Sequence, residues 1–316
     1  MTKAVKAHEG GMWGMAKYLA RGKVEHEFAV LDKKGIHVNF PEKLPITIGE
    51  FRIARSPNFE HYLRELGWIA AKQSNKPDWE YPMSYLYVET VFDIEDKGDP
   101  FDKADNILEQ LEAMFRLYHT GGIYIRLHDV WHINEDKRER MVIFRVAPDR
   151  PEPPRIGLQG DYPLNDEVLI GFQTYFSKYW GIVSGRQKNL WSAIYRFNSS
   201  YERRTIEDRL VELMIAMEAI YSDKEYHRYK IPLRCSCLLF PPGEERKGNF
   251  KFIKDLYDDR SKLLHGGITD LPGVTTFEVN RFEDLVRRSI QKFMDIFKEG
   301  KPIPDGPQLD DILFFT

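Results

Sequence analysis

Residues 248–267 read GNFKFIKDLYDDRSKLLHGG. Placed at the angular step of an α-helix, Phe252, Ile253, Leu256, Tyr257, Leu263 and Leu264 gather into one apolar stripe about 140° wide, with Arg260 near its centre. A guanidinium on a core-facing stripe is costly unless it is paired or opens on a cleft. His265 follows five residues later, rotated by about 140° from Arg260 if the helix continues, and Gly266 and Gly267 end the helix at the histidine. In that last turn the imidazole faces the negative end of the helix dipole, which favours its charged form. Each residue keeps two readings. Arg260 is a structural ion pair, with Glu218 as the acid, or the cation of a cleft. His265 is a helix cap or an acid–base group.

The same helical period extends in both directions. NDEVLIGFQTYFSKYWGIV (165–183), GRQKNLWSAIYRFNSS (185–200), TIEDRLVELMIAMEAIYS (205–222) and YKIPLRCSCLLF (229–240) precede the segment, and FEDLVRRSIQKFMDIFKEG (282–300) follows it. Thr205 and Asp208 have the spacing of a capping box. Upstream the pattern changes. EHEFAVL (25–31), GIHVNF (35–40), SYLYVETVFDI (84–94), IYIRLHDVWHI (123–133) and RMVIFRV (140–146) read as strands, and DKADNILEQLEAMFRLYHTGG (102–122) as a helix closed by two glycines. Residues 147–164 hold five prolines and read as a linker over 151–164. The expected fold class is α+β: a mixed domain over 1–150, a helical bundle over 165–300, and a tail over 301–316 that docks on a partner, packs on its own chain or stays unfolded.

Composition narrows the function classes. The chain has 316 residues, 30% of them charged, and a net charge of −3, which excludes a globally basic nucleic-acid coat but leaves room for a local basic patch. The two cysteines, Cys235 and Cys237, read as small buried residues pointing to different sides of a helix, as suits a reducing compartment. No continuous apolar leader and no run of about 18 apolar residues is present, so a cytoplasmic location away from membranes is expected. There is no phosphate-binding glycine loop, no nucleophile elbow and no zinc quartet. His128 and His132 have the i, i+4 spacing of helical metal ligands but fall in a strand segment, so no metal is assigned.

The quoted segment resembles the HEPN domains. RSKLLHG fits their R-x4-H signature, and LYDDRSKLLHGG is similar to the Apea-like branch, whose members often read Tyr-x-x-Arg-Ser-x-x-x-His-Gly. DRLVELMIAMEAIYS (208–222) is similar to that branch's earlier acidic helix. The resemblance covers residues 165–300. It implies a helical bundle that often forms a homodimer and, in catalytic members, a metal-independent ribonuclease without cofactor, with arginine and histidine from two protomers lining one cleft. Carried over, Arg260 holds the phosphate and stabilises the developing charge, and His265 is the general acid or base. Ser261 stands where many catalytic members carry Asn, Asp or His, and offers a shorter hydrogen-bonding group. Glu218 is placed to orient Arg260 or the histidine, or is a plain surface residue. A toxin or defence effector is the implied role, with the N-terminal domain restraining it or meeting a trigger. The alternative is a non-catalytic module that binds RNA, a nucleotide or a protein; a third reading is a structural dimerisation bundle.

One further stretch bears on RNA. Arg186, Lys188, Arg196, Arg203, Arg204 and Arg209 give six cations over 186–209 against three acids, with Tyr195, Phe197 and Tyr201 interleaved. They form a phosphate-tracking surface with stacking aromatics, or a solvated face over core aromatics.

Overall fold

The computed structural model describes residues 16–25, 29–32, 35–38, 43–56, 85–94, 99–133, 140–143, 162–186, 188–221, 225–265, 273–299 and 306–314. Among them are eight strands: β1 (Ala16–Glu25), β2 (Ala29–Asp32), β3 (Gly35–Val38), β4 (Ile46–Ile48), β5 (Phe51–Ser56), β6 (Tyr85–Ile94), β7 (Tyr124–Ile133) and β8 (Arg140–Ile143). There are also eight helices: α1 (Pro100–Tyr118), α2 (Asp166–Ser184), α3 (Lys188–Ser200), α4 (Ile206–Tyr221), α5 (His227–Leu239), α6 (Glu244–His265), α7 (Thr276–Lys298) and α8 (Gly306–Phe314). This is the expected α+β composition. None of these helices is long and apolar enough to cross a membrane.

The chain divides into two compact units, and the division is not a single cut near residue 150. One unit comprises Met1–Lys23, Pro45–Leu108 and Arg126–Pro148; the other comprises Val24–Leu44, Glu109–Ile125 and Asp149–Thr316. The helical unit therefore takes the second half of α1 and the β2–β3 hairpin from the part of the sequence read as the N-terminal domain. Tyr162, at the end of the expected linker, is buried and donates its hydroxyl to the Phe115 carbonyl at 3.0 Å, so this end of the proline-rich stretch is packed. Residues 151–161 lie outside the described residues.

The first unit holds a six-stranded sheet in the order β4-β5-β6-β1-β7-β8. β5 and β6 pair antiparallel with Ile53 opposite Val88. Phe51, Ile53, Leu86 and Val88 are buried, while the opposed Arg52 and Glu89 pair across the strands at 2.9 Å. Ala20, Phe92, Ile94 and Val130 of the strands pack with Phe101, Ala104 and Ile107 of α1. His128 and His132 both lie on the strand β7, not on a helix; their side chains lie outside the described residues. β1, β4 and β5 are strands that the sequence pattern did not mark.

In the helical unit α4 is central, with Leu210, Leu213, Met214, Met217, Ile220 and Tyr221 all buried. Thr205 caps it, accepting from the Asp208 amide at 3.1 Å, as its spacing suggests. Asn165 caps α2 in the same way, and Leu169, Phe172, Phe176, Tyr179 and Val183 face inward at helical spacing. Phe172 stacks on Phe115 with ring centres 3.9 Å apart. α7 begins more than a turn before the expected Phe282, because Thr275 and Glu278 form a full capping box. The expected tail is in part a helix packed on its own chain. In α8, Leu309 is fully buried, and both Asp310 carboxylate oxygens accept from the buried Arg234 at 2.7 Å. Arg234 also donates to the Tyr221 carbonyl at 2.6 Å.

The cysteines do point to different sides of α5. Cys235 is fully buried, and burial pushes its thiol up to about 12; Cys237 is half-exposed, its thiol raised by partial burial. A disulfide reagent at pH 8 is therefore expected to label Cys237 on the native protein, and Cys235 only as fast as the bundle opens. Equal labelling rates at both thiols would contradict this packing.

Candidate functional site

α6 presents Ile253 and Leu256 to the core, both buried. Farther along the stripe the apolar face meets solvent. Phe252, Tyr257 and Leu263 are half-buried, and the Arg260 side chain keeps 15% of its surface. Arg260 is thus neither sealed in the core nor free on the surface. Its Nη2 lies 3.4 Å from Oε2 of Glu218 on α4, and its Cζ lies 6.0 Å from the Tyr257 ring centre. Among the described residues its buried Nε has no hydrogen-bond partner. Such a donor costs about 1–3 kcal/mol if it stays unmatched.

Tyr257, one turn before Arg260, completes a small cluster. Burial, and then the Glu218 carboxylate to which its hydroxyl donates, hold its phenol above the usual value. Glu218 therefore gathers Arg260 and Tyr257 from one face of α6. Its pairing with Arg260 was legible in the sequence; the tyrosine's share in it was not. The acids beside Arg260 are engaged elsewhere. Asp258 accepts from Arg228 at 2.5 and 2.7 Å, which holds its carboxyl below the ordinary value, and Asp259 pairs with Lys262 at 2.6 Å. Ser261 is half-buried. His265 is the last residue of α6, as expected from the glycines; its side chain lies outside the described residues.

The basic run resolves into different environments. Arg186 and Arg204 are exposed, and the Lys188 side chain lies outside the described residues. Arg196 and Arg203 both reach Glu212 of α4. Arg209 does not belong to a surface. It is fully buried and pairs with Glu283 at 2.5 Å, because the helix that carries it is central to the bundle. Phe197 and Tyr201 are also fully buried and present no stacking face, whereas Tyr195 is exposed.

The strongest electrostatic feature is one that sequence reasoning missed. Glu283 of α7 accepts from Arg209, from Arg287 at 2.5 Å and from the Tyr201 hydroxyl at 2.6 Å. Arg287 also donates to the Arg116 carbonyl at 2.8 Å. Arg116 is sealed between the rings of Tyr124 and Tyr201, 4.8 and 4.5 Å from their centres, and pairs with Glu112 at 2.8 Å and Asn198 at 2.6 Å. Charged residues spaced along separate helices read as solvated faces, so the pattern alone carried no sign of this network.

Compared with protein-family profiles, with curated proteins and with solved structures, the chain gives no significant match to any of them.

The two kinds of carboxylate should differ sharply on mutation. Glu283→Gln removes the buried carboxylate that Arg209 and Arg287 share and should cost about 3–5 kcal/mol. Glu218→Gln, at a partly exposed pair, should cost about 1 kcal/mol or less. Urea denaturation of the two variants measures the difference, and equal losses would refute the division between fold and site.

Proposed function

We propose that the helical unit is a HEPN-type, metal-independent endoribonuclease acting as a homodimer. One observation carries the reading. Arg260 sits half-sheltered near the end of α6, held from one side by Glu218, with an Nε that has no partner among the described residues and with His265 closing the same helix. A guanidinium so placed can take a phosphate oxygen without being pulled out of the core.

The chemistry follows from the residue types and the resemblance. One histidine accepts the proton of a ribose 2′-OH as its oxygen attacks the adjacent phosphorus. The bond from phosphorus to the 5′ oxygen breaks, and that oxygen takes a proton from a second, protonated histidine. The products are a 2′,3′-cyclic phosphate and a 5′-OH, with protons and electrons balanced. At helical spacing Arg260 and His265 are about 140° apart on one helix, so two copies about a two-fold axis would bring both residue types to one phosphate. Arg260 stabilises the charge that builds on the phosphoryl oxygens, and Glu218 orients it. The same reading makes the chain a toxin or defence effector, with the sheet-bearing unit restraining it or meeting a trigger.

A second reading, an RNA-, nucleotide- or protein-binding module without catalysis, draws on the engagement of Arg260 by Glu218 and on Ser261 beside it.

The test is total RNA incubated in EDTA with wild-type protein, Arg260→Ala and His265→Ala, followed by mapping of the ends. Cyclic-phosphate and 5′-OH ends are expected from wild type, with a loss of about a hundredfold or more in each variant. Cleavage that survives either substitution would remove the site assignment. Binding without such ends in any form would favour the non-catalytic module. Growth arrest on expression of wild type but not His265→Ala is the expected cellular counterpart.

A further inference from the structure

We propose that α3 and the turn after it form a track for single-stranded nucleic acid, in which Tyr195 stacks on an unpaired base and the arginines held by Glu212 take phosphates. The identity of the ligand rests on the RNA reading above, but the track does not depend on cleavage.

Glu212 of α4 keeps only 6% of its side-chain surface, yet the two arginines it holds reach solvent, Arg196 at 41% and Arg203 at 44%. Arg196 Nη1 lies 3.2 Å from Oε2, while Arg203 donates to Oε1 from Nε at 3.0 Å and also from Nη2. A single buried carboxylate beneath two exposed guanidinium groups leaves a net positive charge. It also fixes both forks, so less side-chain entropy is lost when their remaining N–H groups meet phosphate oxygens. The exposed Arg204 stands next in the chain.

The aromatic part lies on the preceding helix. Trp191 and Tyr195 are four residues apart, which places them about 6 Å apart along one face of α3. Tyr195 is 44% exposed, and Trp191 is half-buried. Each has a guanidinium beside it: Arg186 Cζ is 4.9 Å from the Trp191 ring centre and Arg196 Cζ is 5.9 Å from that of Tyr195. Arg186 reaches Trp191 from a backbone at φ +50°, which non-glycine residues rarely adopt. We assign the Gln110 amide with its oxygen toward Arg186, where it accepts from the guanidinium at 3.1 and 3.3 Å. A strained backbone and two hydrogen bonds hold a cation over an aromatic ring at the surface, next to an exposed tyrosine. Base faces stack on tyrosine rings and on guanidinium planes alike. A duplex hides those faces, so the occupant is an unpaired strand.

Three acids stand near this surface. Glu202 lies 3.6 Å from the buried Arg116, and Asp208 is exposed in the first turn of α4. Glu207 is half-buried in the same turn.

The experiment is fluorescence anisotropy on the full chain carrying His265→Ala, in EDTA, with a labelled single-stranded RNA of about 12 nucleotides and a duplex of the same length. The single strand should bind more tightly than the duplex. Tyr195→Ala should weaken single-strand binding about tenfold, and Tyr195→Phe, which keeps the ring, should restore it. Arg203→Gln should lower the salt slope of the binding constant by about 0.7. Unchanged binding by Tyr195→Ala, equal affinity for the duplex, or no binding at about 50 mM salt would each overturn the track. The two readings separate cleanly. Tyr195-dependent binding with no cleavage by wild type keeps the track and removes the ribonuclease. Cleavage with Tyr195-independent binding does the reverse.

Discussion

A carboxylate removed from water must be matched by fixed positive charge and hydrogen bonds, or the fold does not close. Glu283 meets this condition through Arg209, Arg287 and Tyr201, which come from α4, from its own helix and from the turn after α3. Arg287 carries the network on to α1 through the Arg116 carbonyl. Apolar packing tolerates small slides of one helix along another. Ion pairs at 2.5 Å with directed N–H groups do not, so this network fixes the relative register of α1, α3, α4 and α7. The arms of Glu212 and Glu218 start from the same central helix α4, and their geometry inherits that register.

The arginines of the helical unit follow one pattern. Glu283 serves Arg209 and Arg287 in the interior, Glu212 serves Arg196 and Arg203 at the rim, and Glu218 serves Arg260 between the two. The carboxylate is the more buried partner at the rim, and the guanidinium is the more exposed one. Such an arrangement places cations at defined points on the surface while leaving part of each fork for another acceptor. In the interior the same pairing is closed off from solvent, with Arg209 fully buried and Arg287 nearly so. The difference in solvent exposure, not in residue type, separates structural arginines from candidate binding ones.

That difference explains what could be read from residues alone. Periodicity marked α2, α3, α4 and α6, and the glycines after His265 marked where α6 stops, because amphipathic spacing and chain termination are local properties. The Arg260–Glu218 pair was legible because a cation on an apolar stripe demands an acid nearby. Burial of Arg209, Phe197 and Tyr201 was not, since it depends on which helix becomes central, and helix order in space is not written in any one segment. β1 escaped notice because in AKYLARGKVE adjacent apolar residues and an Arg-Gly-Lys run break the two-residue alternation of a strand, although it lies inside the sheet between β6 and β7. The capping box at Thr275 was missed because its apolar partners start only at Val279 and Phe282. α8 was hidden by the prolines before it, while its anchors, Leu309 and Asp310, make sense only against Arg234.

The Arg234–Asp310 pair also has a consequence in time. Its two residues are 76 positions apart. At synthesis rates of roughly 5–20 residues per second, the carboxylate is added about 4–15 s after the guanidinium that needs it. During those seconds the Tyr221 carbonyl is already part of the chain and the Asp310 carboxylate is not. This long-range pair is completed on the clock of the ribosome, after the residues of the Arg260 cluster have been added.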